Sequence, residues 1–223
     1  MHRVRREAGF TAMELMIVVA IVGIAAAAAV PSWRAIQANA RLRDAAGDIA
    51  DVLRAARMRA ISSSRNHVVY FDTGVNGNVD VCGNAVLDAN GNPAPMIVLD
   101  DANGNCCIDP GENLEARRAV DGIQWGVDFA LVAAPGDPDP SGSFPDGSTF
   151  HDPANSQTEW VAFQPDGIPI GFANGGACGL GNAGTGGGAV YVNNDRRDFA
   201  VVMTPLGGLK THLFERSGGV WTD

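Results

Sequence analysis

Residues 9–31 read GFTAMELMIVVAIVGIAAAAAVP and follow the basic segment MHRVRREA. The apolar run covers residues 10–30, in which only Thr11 and Glu14 are polar. At about 1.5 Å of rise per residue, a helix of this length spans the roughly 30 Å hydrocarbon core of a bilayer. The arginines before the run favour an N-terminus that stays in the cytoplasm. The sequence therefore predicts a single-pass inner-membrane protein whose C-terminal domain is periplasmic.

The order of the leader and the apolar run is unusual. An ordinary secretory leader has its small-residue cleavage site after the apolar core and is removed whole. Here the small residue, Gly9, precedes the apolar run. Cleavage after Gly9 would remove residues 1–9 and would leave the apolar helix in place with Phe10 as its first residue.

Glu14 is the second unusual feature of the run. A charged side chain within a membrane helix costs roughly 2.5–3.5 kcal/mol on insertion scales, so it usually has a partner. Cleavage after Gly9 would create an ammonium group at Phe10, in the same chain or in a neighbouring one, that could be this partner. The alternative is that Glu14 lies near the membrane interface and stays hydrated.

Residues 9–16, GFTAMELM, together with the apolar run and Pro31, resemble the type III leader of type IV pilins and type II secretion pseudopilins. The resemblance implies that a prepilin peptidase cuts after Gly9 and methylates Phe10. It also implies that Glu14 guides assembly and that Pro31 kinks or locally melts the helix. The implied partners are other pilin-like subunits, contacted through the N-terminal helix, the peptidase, and an inner-membrane assembly platform.

A second helical pattern follows Pro31. Apolar residues recur at spacings of three and four from Trp33 to Ile61, which predicts an amphipathic helix. The helix should end near Ser62–Asn66, where a polar cluster replaces the pattern. Arginine and aspartate residues are interleaved on its polar side, which favours a solvated, ion-paired face over a DNA-binding face.

The remainder of the chain is rich in strand and turn patterns. Gln164–Gly167 and Pro205–Gly208 are hairpin turn signals. We expect antiparallel sheets packed on the exported half of the helix. The candidate strands are His67–Thr73, Pro95–Leu99, Ala119–Val127, Phe129–Ala133, Glu159–Phe163, Ala189–Asn193, Phe199–Met203 and Leu209–Phe214.

These patterns predict an α+β fold class of the pilin-like kind. A long N-terminal α-helix, with a membrane half and an exported half, would pack on antiparallel β-sheets. The predicted regions are a cleaved leader (1–9), a transmembrane or filament-core helix (10–30), an exported amphipathic helix (31–66) and a β-rich periplasmic domain (67–223) with loop insertions near 74–116 and 134–158.

Four stretches of the exported region resemble the GspH/FimT family of minor pilin-like subunits. They are residues 42–46 (LRDAA), 55–60 (AARMRA), 160–167 (WVAFQPDG) and 199–208 (FAVVMTPLGG). The resemblance implies a minor subunit near the tip of a filament. The filament would be either a type II secretion pseudopilus or a type IV pilus.

One loop has the ligand spacing of an EF-hand calcium site, Asp101–Glu112. Cys106 occupies the sixth position, where the sharp turn normally requires glycine, and no helix pattern flanks the loop. A poorer copy, Asp88–Asn92, stops at Pro93. The alternative is that the Asn-Gly pairs of these loops only form turns. The ligand positions are Asp101, Asn103, Asn105, Cys107, Asp109 and Glu112.

Four cysteines follow the N-terminal segment, and in an exported chain this number is compatible with two disulfides in any of three pairings. Reduced, buried cysteines are the alternative. The adjacent pair in the middle does not fit the Cys-x-x-Cys spacing of redox and zinc sites. The four are Cys82, Cys106, Cys107 and Cys178.

Composition argues against other classes of function. The net charge of −9 makes nucleic acid an unlikely partner, since phosphates call for clustered lysine and arginine. Residues 175–188 are rich in glycine, but no Gly-Lys-Ser/Thr follows them, so they do not form a phosphate-binding loop. The chain has no nucleophile elbow and no His-Glu-x-x-His motif, and we therefore expect no enzyme.

The sequence thus predicts a structural minor pseudopilin of a type II secretion system, assembled after leader cleavage and N-terminal methylation. The alternative is a FimT-like minor pilin of a type IV pilus, with a role in pilus assembly or DNA uptake. That alternative calls for a basic, exposed C-terminal patch, and Leu209–Asp223 has few cationic residues.

Overall fold

The structure is a computed structural model that describes residues 10–74, 77, 79–88, 90–117, 122–138, 144–173 and 181–223. For residues 28–32 it describes the backbone alone. The chain forms two compact units, Met1–Ala38 and Asn39–Asp223.

Most of the described elements are β-strands, and they form two five-stranded antiparallel sheets. The first sheet has the strand order β3-β2-β1-β5-β6, and the second has the order β10-β9-β8-β7-β4. The elements are α1 (Ala12–Ser63), β1 (Asn66–Phe71), β2 (Met96–Asp101), β3 (Asn113–Arg117), β4 (Gln124–Trp125), a 3-10 turn (Phe144–Asp146), β5 (Trp160–Phe163), β6 (Pro169–Ile170), β7 (Gly188–Asn193), β8 (Asp198–Met203), β9 (Leu209–Glu215) and β10 (Val220–Thr222).

The main core joins the second part of α1 to both sheets. Apolar residues at helical spacing form one stripe on α1, and alanines within it let the backbone approach the strands closely. The stripe belongs to one apolar cluster with inward-facing residues of β1, β2 and β5 and of β7 and β8. Its buried helix residues are Leu42, Ala46, Ile49, Ala50, Val52, Leu53, Ala56 and Ala60.

The opposite face of the first sheet has its own apolar cover. Val68, Tyr70 and Ile97 point into a second cluster. Val81 and Val86, from the connection between β1 and β2, close over them. Because strands β1 and β2 are covered on both faces, they read as unbroken apolar runs rather than alternating ones. The predicted insertion near 74–116 is therefore a packed layer of the domain.

Six of the eight candidate strands are confirmed to within two residues, as β1, β2, β5, β7, β8 and β9. The candidate Ala119–Val127 is reduced to β4, and its residues 119–121 lie outside the described part. The candidate Phe129–Ala133 is wrong. The carboxylate of Asp198 accepts hydrogen bonds from the amides of Asp128, Phe129 and Ala130, so this segment is held as a loop.

The predicted fold class is wrong about the helix. We expected a long N-terminal helix, with a membrane half and an exported half, packed on the sheets, but residues 10–27 are exposed and the packed stripe starts at Leu42. An all-round apolar run has no single face to turn toward a sheet, whereas the spacing after Leu42 gives one. The domain is mostly β, built on two antiparallel sheets.

The predicted single-pass inner-membrane location, with a cytoplasmic N-terminus and a periplasmic C-terminal domain, is also wrong. In the described part of the chain, no helix is both long and apolar enough to cross a membrane.

The shared core predicts a large cost for truncation on one face of α1. Leu53 is fully buried, so Leu53→Ala should lower the free energy of unfolding by about 2–5 kcal/mol through lost contacts and a cavity. Met58 lies on the same helix and is 66% exposed, so Met58→Ala should change it by less than about 0.5 kcal/mol. Urea unfolding followed by circular dichroism measures both, and equal losses would contradict the assignment of faces.

Candidate functional site

Glu14 closes the first turn of α1. Its Oε2 accepts hydrogen bonds from the backbone amide and from the hydroxyl of Thr11, both at 2.9 Å. The Thr11 hydroxyl oxygen in turn accepts the backbone amide of Glu14 at 3.2 Å. This reciprocal arrangement is a capping box, the side-chain pattern that satisfies the free amides at a helix start. The carboxylate of Glu14 therefore has a structural role within its own chain.

The first turns of α1 expose apolar side chains on every side. Phe10 is 86% exposed and Met16 is 76% exposed. Isolated exposed apolar residues are ordinary, but a continuous apolar surface marks a place where something else binds. The large apolar residues exposed here are Phe10, Met13, Leu15, Met16, Ile17, Val18, Val19, Ile21, Val22 and Ile24.

Gly9 and Pro31 are the remaining residues predicted for leader cleavage and for assembly. Gly9, on the predicted cleavage side, lies outside the described residues. Pro31 lies inside α1, whose helical backbone continues through it to Ser63. The described side chains at the start of the helix thus bring Thr11 and Glu14 together and leave Pro31 about five turns away by the helix rise.

The sequences that resemble the GspH/FimT family meet at the end of α1. Arg57 Nη1 donates a hydrogen bond to the carbonyl oxygen of Gly207 at 2.8 Å. Gly167 has a φ of 78°, and a Cβ there would lie 2.7 Å from Ile61 Cδ1. The β5–β6 turn and the β8–β9 turn therefore hold the helix end from two sides. This contact explains why glycine occupies positions 167 and 207 in these two turns.

The loop Asp101–Glu112 is closed by its own side chains. The carboxylate of Asp101, which is 2% exposed, accepts the amides of Gly104, Asn105 and Cys106 at 2.9–3.1 Å. Glu112 accepts the amides of Ala102 and Asp109, at 3.0 and 3.2 Å. The acidic residues at both ends of the loop thus cap main-chain groups.

Amide side chains complete the loop. Asn103 and Asn105 donate hydrogen bonds to Asp109 Oδ2 at 2.7 and 2.8 Å. These two bonds, Asn103 first, lower the pKa of Asp109 below its ordinary value. Cys106, at the position that normally holds glycine in a calcium loop, has a φ of 62°. The backbone therefore makes the turn that the spacing calls for, although the residue is not glycine.

A disulfide ties this loop to the preceding connection. Cys82 and Cys107 are bonded to each other. Cys106 is also disulfide-bonded, and Cys178 lies outside the described residues. Asp80 adds a second link, because its Oδ2 accepts the amide of Ile108 at 2.7 Å. The connection before β2 and the loop after it therefore form one layer.

Calcium binding by the Asp101–Glu112 loop stays a prediction. Within the described ranges, no three His, Cys, Asp or Glu side chains are grouped so as to hold a metal ion. Calcium requires six to eight oxygen ligands, so Asp109 and Glu112 would have to exchange their present hydrogen bonds for the ion. The poorer copy has the same character, since Asp88 Oδ1 accepts the amides of Asn90 and Asn92 at 2.8 Å.

A cavity of about 470 Å³ lies where the end of α1 meets β1, β2 and β3. Two ion pairs lie at this cavity, Arg59–Glu115 and Arg65–Asp100. Arg59, Asp100 and Glu115 are among the residues that line it. Ser62 and Ser63 also line it, but both hydroxyls donate to the carbonyl oxygen of Arg59 rather than to a base. Neither serine is paired with a base that would activate it as a nucleophile, and the absence of enzyme activity stays a prediction.

Sequence reasoning missed a cluster of arginines. Arg196, Arg197 and Arg216 line a cavity of about 300 Å³ beside Leu213 and Phe214. Arg196 and Arg197 are adjacent in the sequence and could have been noticed there. Their proximity to Arg216 could not, because it depends on β7, β8, β9 and β10 lying side by side.

No family model, no curated protein and no solved structure matches the chain. The resemblance to type IV pilin-like proteins of the GspH/FimT kind therefore rests on the sequence motifs described above.

The buried Asp101 carboxylate yields a stability prediction. Asp101→Asn replaces one acceptor oxygen by an NH₂ group that faces main-chain amides, and this should cost about 1–3 kcal/mol of unfolding free energy. Asp88→Asn is the matched control, since Asp88 occupies the same type of turn but is only half-buried. Thermal and urea unfolding, each with and without calcium, measure the effect. A larger loss for Asp88→Asn would contradict the assigned role of the Asp101 carboxylate.

Tyr70 yields a prediction for alkaline pH. Its hydroxyl donates to the carbonyl oxygen of Cys106, and burial followed by the charges of Asp80, Asp101 and Glu112 raises its pKa. Because the pKa of Tyr70 is higher in the folded state than in the unfolded state, its contribution to the free energy of unfolding is fully present below about pH 10. Above that pH the free energy of unfolding falls by up to about 1.4 kcal/mol per pH unit. Tyr70→Phe should remove this component of the slope in urea unfolding between about pH 9 and 11. An unchanged slope would show that another group causes it.

Proposed function

We propose that the protein is a structural minor subunit of a type II secretion pseudopilus. It joins the filament through the first turns of α1 after the leader is cut at Gly9 and Phe10 is methylated. The observation that carries the proposal is the apolar surface of residues 10–27, which is exposed all round the helix. A helix of this kind is stable in water only when other protein covers it.

Equivalent helices of other subunits are the natural cover. A helix that is apolar on one face can be covered by one partner, but a helix apolar on all faces needs several neighbours. A filament whose subunits contribute one such helix each supplies those neighbours at every position. The second unit of the chain, Asn39–Asp223, has its own buried core and does not need this cover.

The geometry of Glu14 is compatible with a partner in a neighbouring subunit. Thr11 uses Oε2, and Oε1 accepts no hydrogen bond from a described residue. The capping box fixes the direction of the carboxylate, so the second oxygen is presented in one orientation. The ammonium group of a neighbour's processed Phe10 would pair with it, and burial of that pair among apolar helices would set the register of assembly.

The alternative is a minor pilin of a type IV pilus, with a role in pilus assembly or DNA uptake. It would use the same helix and the same processing. The cluster of Arg196, Arg197 and Arg216 is the observation that favours it. The net charge of −9 opposes it, because a nucleic acid must approach an acidic body before it reaches those arginines.

Two substitutions at Glu14 test the proposal. Glu14→Ala removes both the cap and the charge, whereas Glu14→Gln keeps the capping hydrogen bonds and removes the charge alone. Both should lower incorporation into the filament by about tenfold or more, because the partner ammonium would be left without its counter-charge. Leader cleavage should be unaffected. Recovery of sheared filaments and immunoblotting measure incorporation and cleavage.

The pair of variants separates the two roles of Glu14. Normal incorporation of both would refute the proposed role in assembly. Normal incorporation of Glu14→Gln with loss for Glu14→Ala would show that the cap, and not the charge, is what assembly requires.

A further inference from the structure

The arginine pocket is the cavity of about 300 Å³ between the β7–β8 turn and the β9–β10 turn. Arg196 and Arg197 lie on the first turn and Arg216 lies on the second, and all three are exposed. None of them forms an ion pair with a described carboxylate. Among the described residues that line the pocket, Glu215 alone is acidic.

The pocket is held in shape by polar contacts. Asn194 Oδ1 accepts the amides of Arg196 and Arg197, at 3.2 and 3.1 Å. The guanidinium group of Arg216 lies 4.2 Å from the centre of the Phe129 ring. The amide of Phe129 is bonded to Asp198 at 2.9 Å. Because the turns are fixed and one guanidinium group is stacked, the pocket loses little conformational entropy when an anion binds. The pocket is therefore preorganised for an anion.

A second region of the chain is acidic and has no cationic residue in its sequence. From Gly74 to Glu112 the sequence has six acidic residues and no lysine, arginine or histidine. Asp100 pairs with Arg65 at 3.1 Å. The other five bond to amide groups, and none of them forms an ion pair with a described residue. Asp80 and Asp101 are buried, whereas Asp88, Asp109 and Glu112 are half-buried. We call residues 80–88 and 101–112 the acidic loops; they carry Asp80, Asp88, Asp101, Asp109 and Glu112.

We propose that the arginine pocket binds the acidic loops of a second copy of this chain. The pocket belongs to the second sheet and the acidic loops belong to the first. Because the two surfaces differ, each copy can use its pocket toward one neighbour and its acidic loops toward another. Such a contact is heterologous and extends without closing unless the rotation completes a ring. This inference rests on the proposed filament function and names the surfaces through which the second units of neighbouring subunits, Asn39–Asp223, meet.

Local charge complementarity favours a second copy as the occupant. Each copy carries the same net charge of −9, so the contact depends on local pairing between the pocket arginines and the acidic loops rather than on overall charge. Asp88, Asp109 and Glu112 are the half-buried acidic residues that a partner's arginines would meet. The acidic loops are also preformed, since their carboxylates are fixed by main-chain amides such as those of Asn105 and Ile108.

Charge reversal in the full-length chain tests the contact. Association between immobilised and free copies in nonionic detergent is measured by surface plasmon resonance at about 50 and about 500 mM NaCl, where screening lengths differ several-fold. Arg196→Glu with Arg197→Glu should raise the dissociation constant about tenfold or more at low salt and much less at high salt. Arg41→Glu with Arg43→Glu is the matched control, with the same change of charge at exposed helix positions. It should leave the constant within about threefold.

A charge swap completes the test. Ala85→Lys with Ala102→Lys adds cations to the acidic loops at exposed positions whose side chains make no cap. This pair alone should weaken association, and its combination with the two Arg→Glu changes in one chain should restore it. Restoration cannot result from misfolding, which would add to the loss instead.

The outcomes are distinct from those for Glu14. The same measurements are made in the Glu14→Ala background, where a loss on Arg→Glu reversal supports the pocket even if the helix has no role in assembly. An association that is unchanged by the Arg→Glu pair, or no rescue in the charge swap, would overturn the proposal. So would duplex DNA that binds in a gel shift at about 150 mM salt and is lost with the Arg→Glu pair while self-association persists.

Discussion

The stripe of α1 from Leu42 to Ala60 contacts both sheets, and the rest of the domain is arranged around this contact. The stripe combines leucine, isoleucine and valine with alanine, so the helix backbone can approach two β-surfaces closely. Arg57 and Ile61 then extend the contact to the two turns that follow β5 and β8. The position of the strands relative to the helix fixes where every loop begins. The arginine pocket and the acidic loops are both consequences of that arrangement.

The features that depend on local order along the chain were predictable. The period of α1 after Leu42 and six of the strands follow from the spacing of apolar residues over a few turns or a few pairs. The segment Phe129–Ala133 has the composition of a strand, but its amides bond to Asp198, which is almost seventy positions away in sequence. No local pattern contains that information. The arginine pocket and the pairing of Cys82 with Cys107 were hidden for the same reason, since four cysteines allow three pairings.

Glu14 shows how one residue can carry two explanations. The sequence offered a carboxylate in an apolar run, whose cost called for a distant partner. The structure adds a nearer one, the capping contact with Thr11, which occupies one of its two oxygens. The two readings use different atoms of the same group and do not exclude each other. Oε2 therefore serves the cap, and Oε1 is the atom that the proposed partner would use.

The domain has two parts that are stabilised in different ways, and the layer cross-linked by Cys82 and Cys107 is one of them. The core that α1 shares with both sheets contains no cysteine, whereas the cover on the outer face of the first sheet consists of turns with little regular structure. Such turns lose much of their order when a cross-link opens, because the chain entropy they regain is large. On reduction, this cover should therefore unfold as a separate cooperative unit, while amides in α1 and in β8 stay protected from hydrogen exchange.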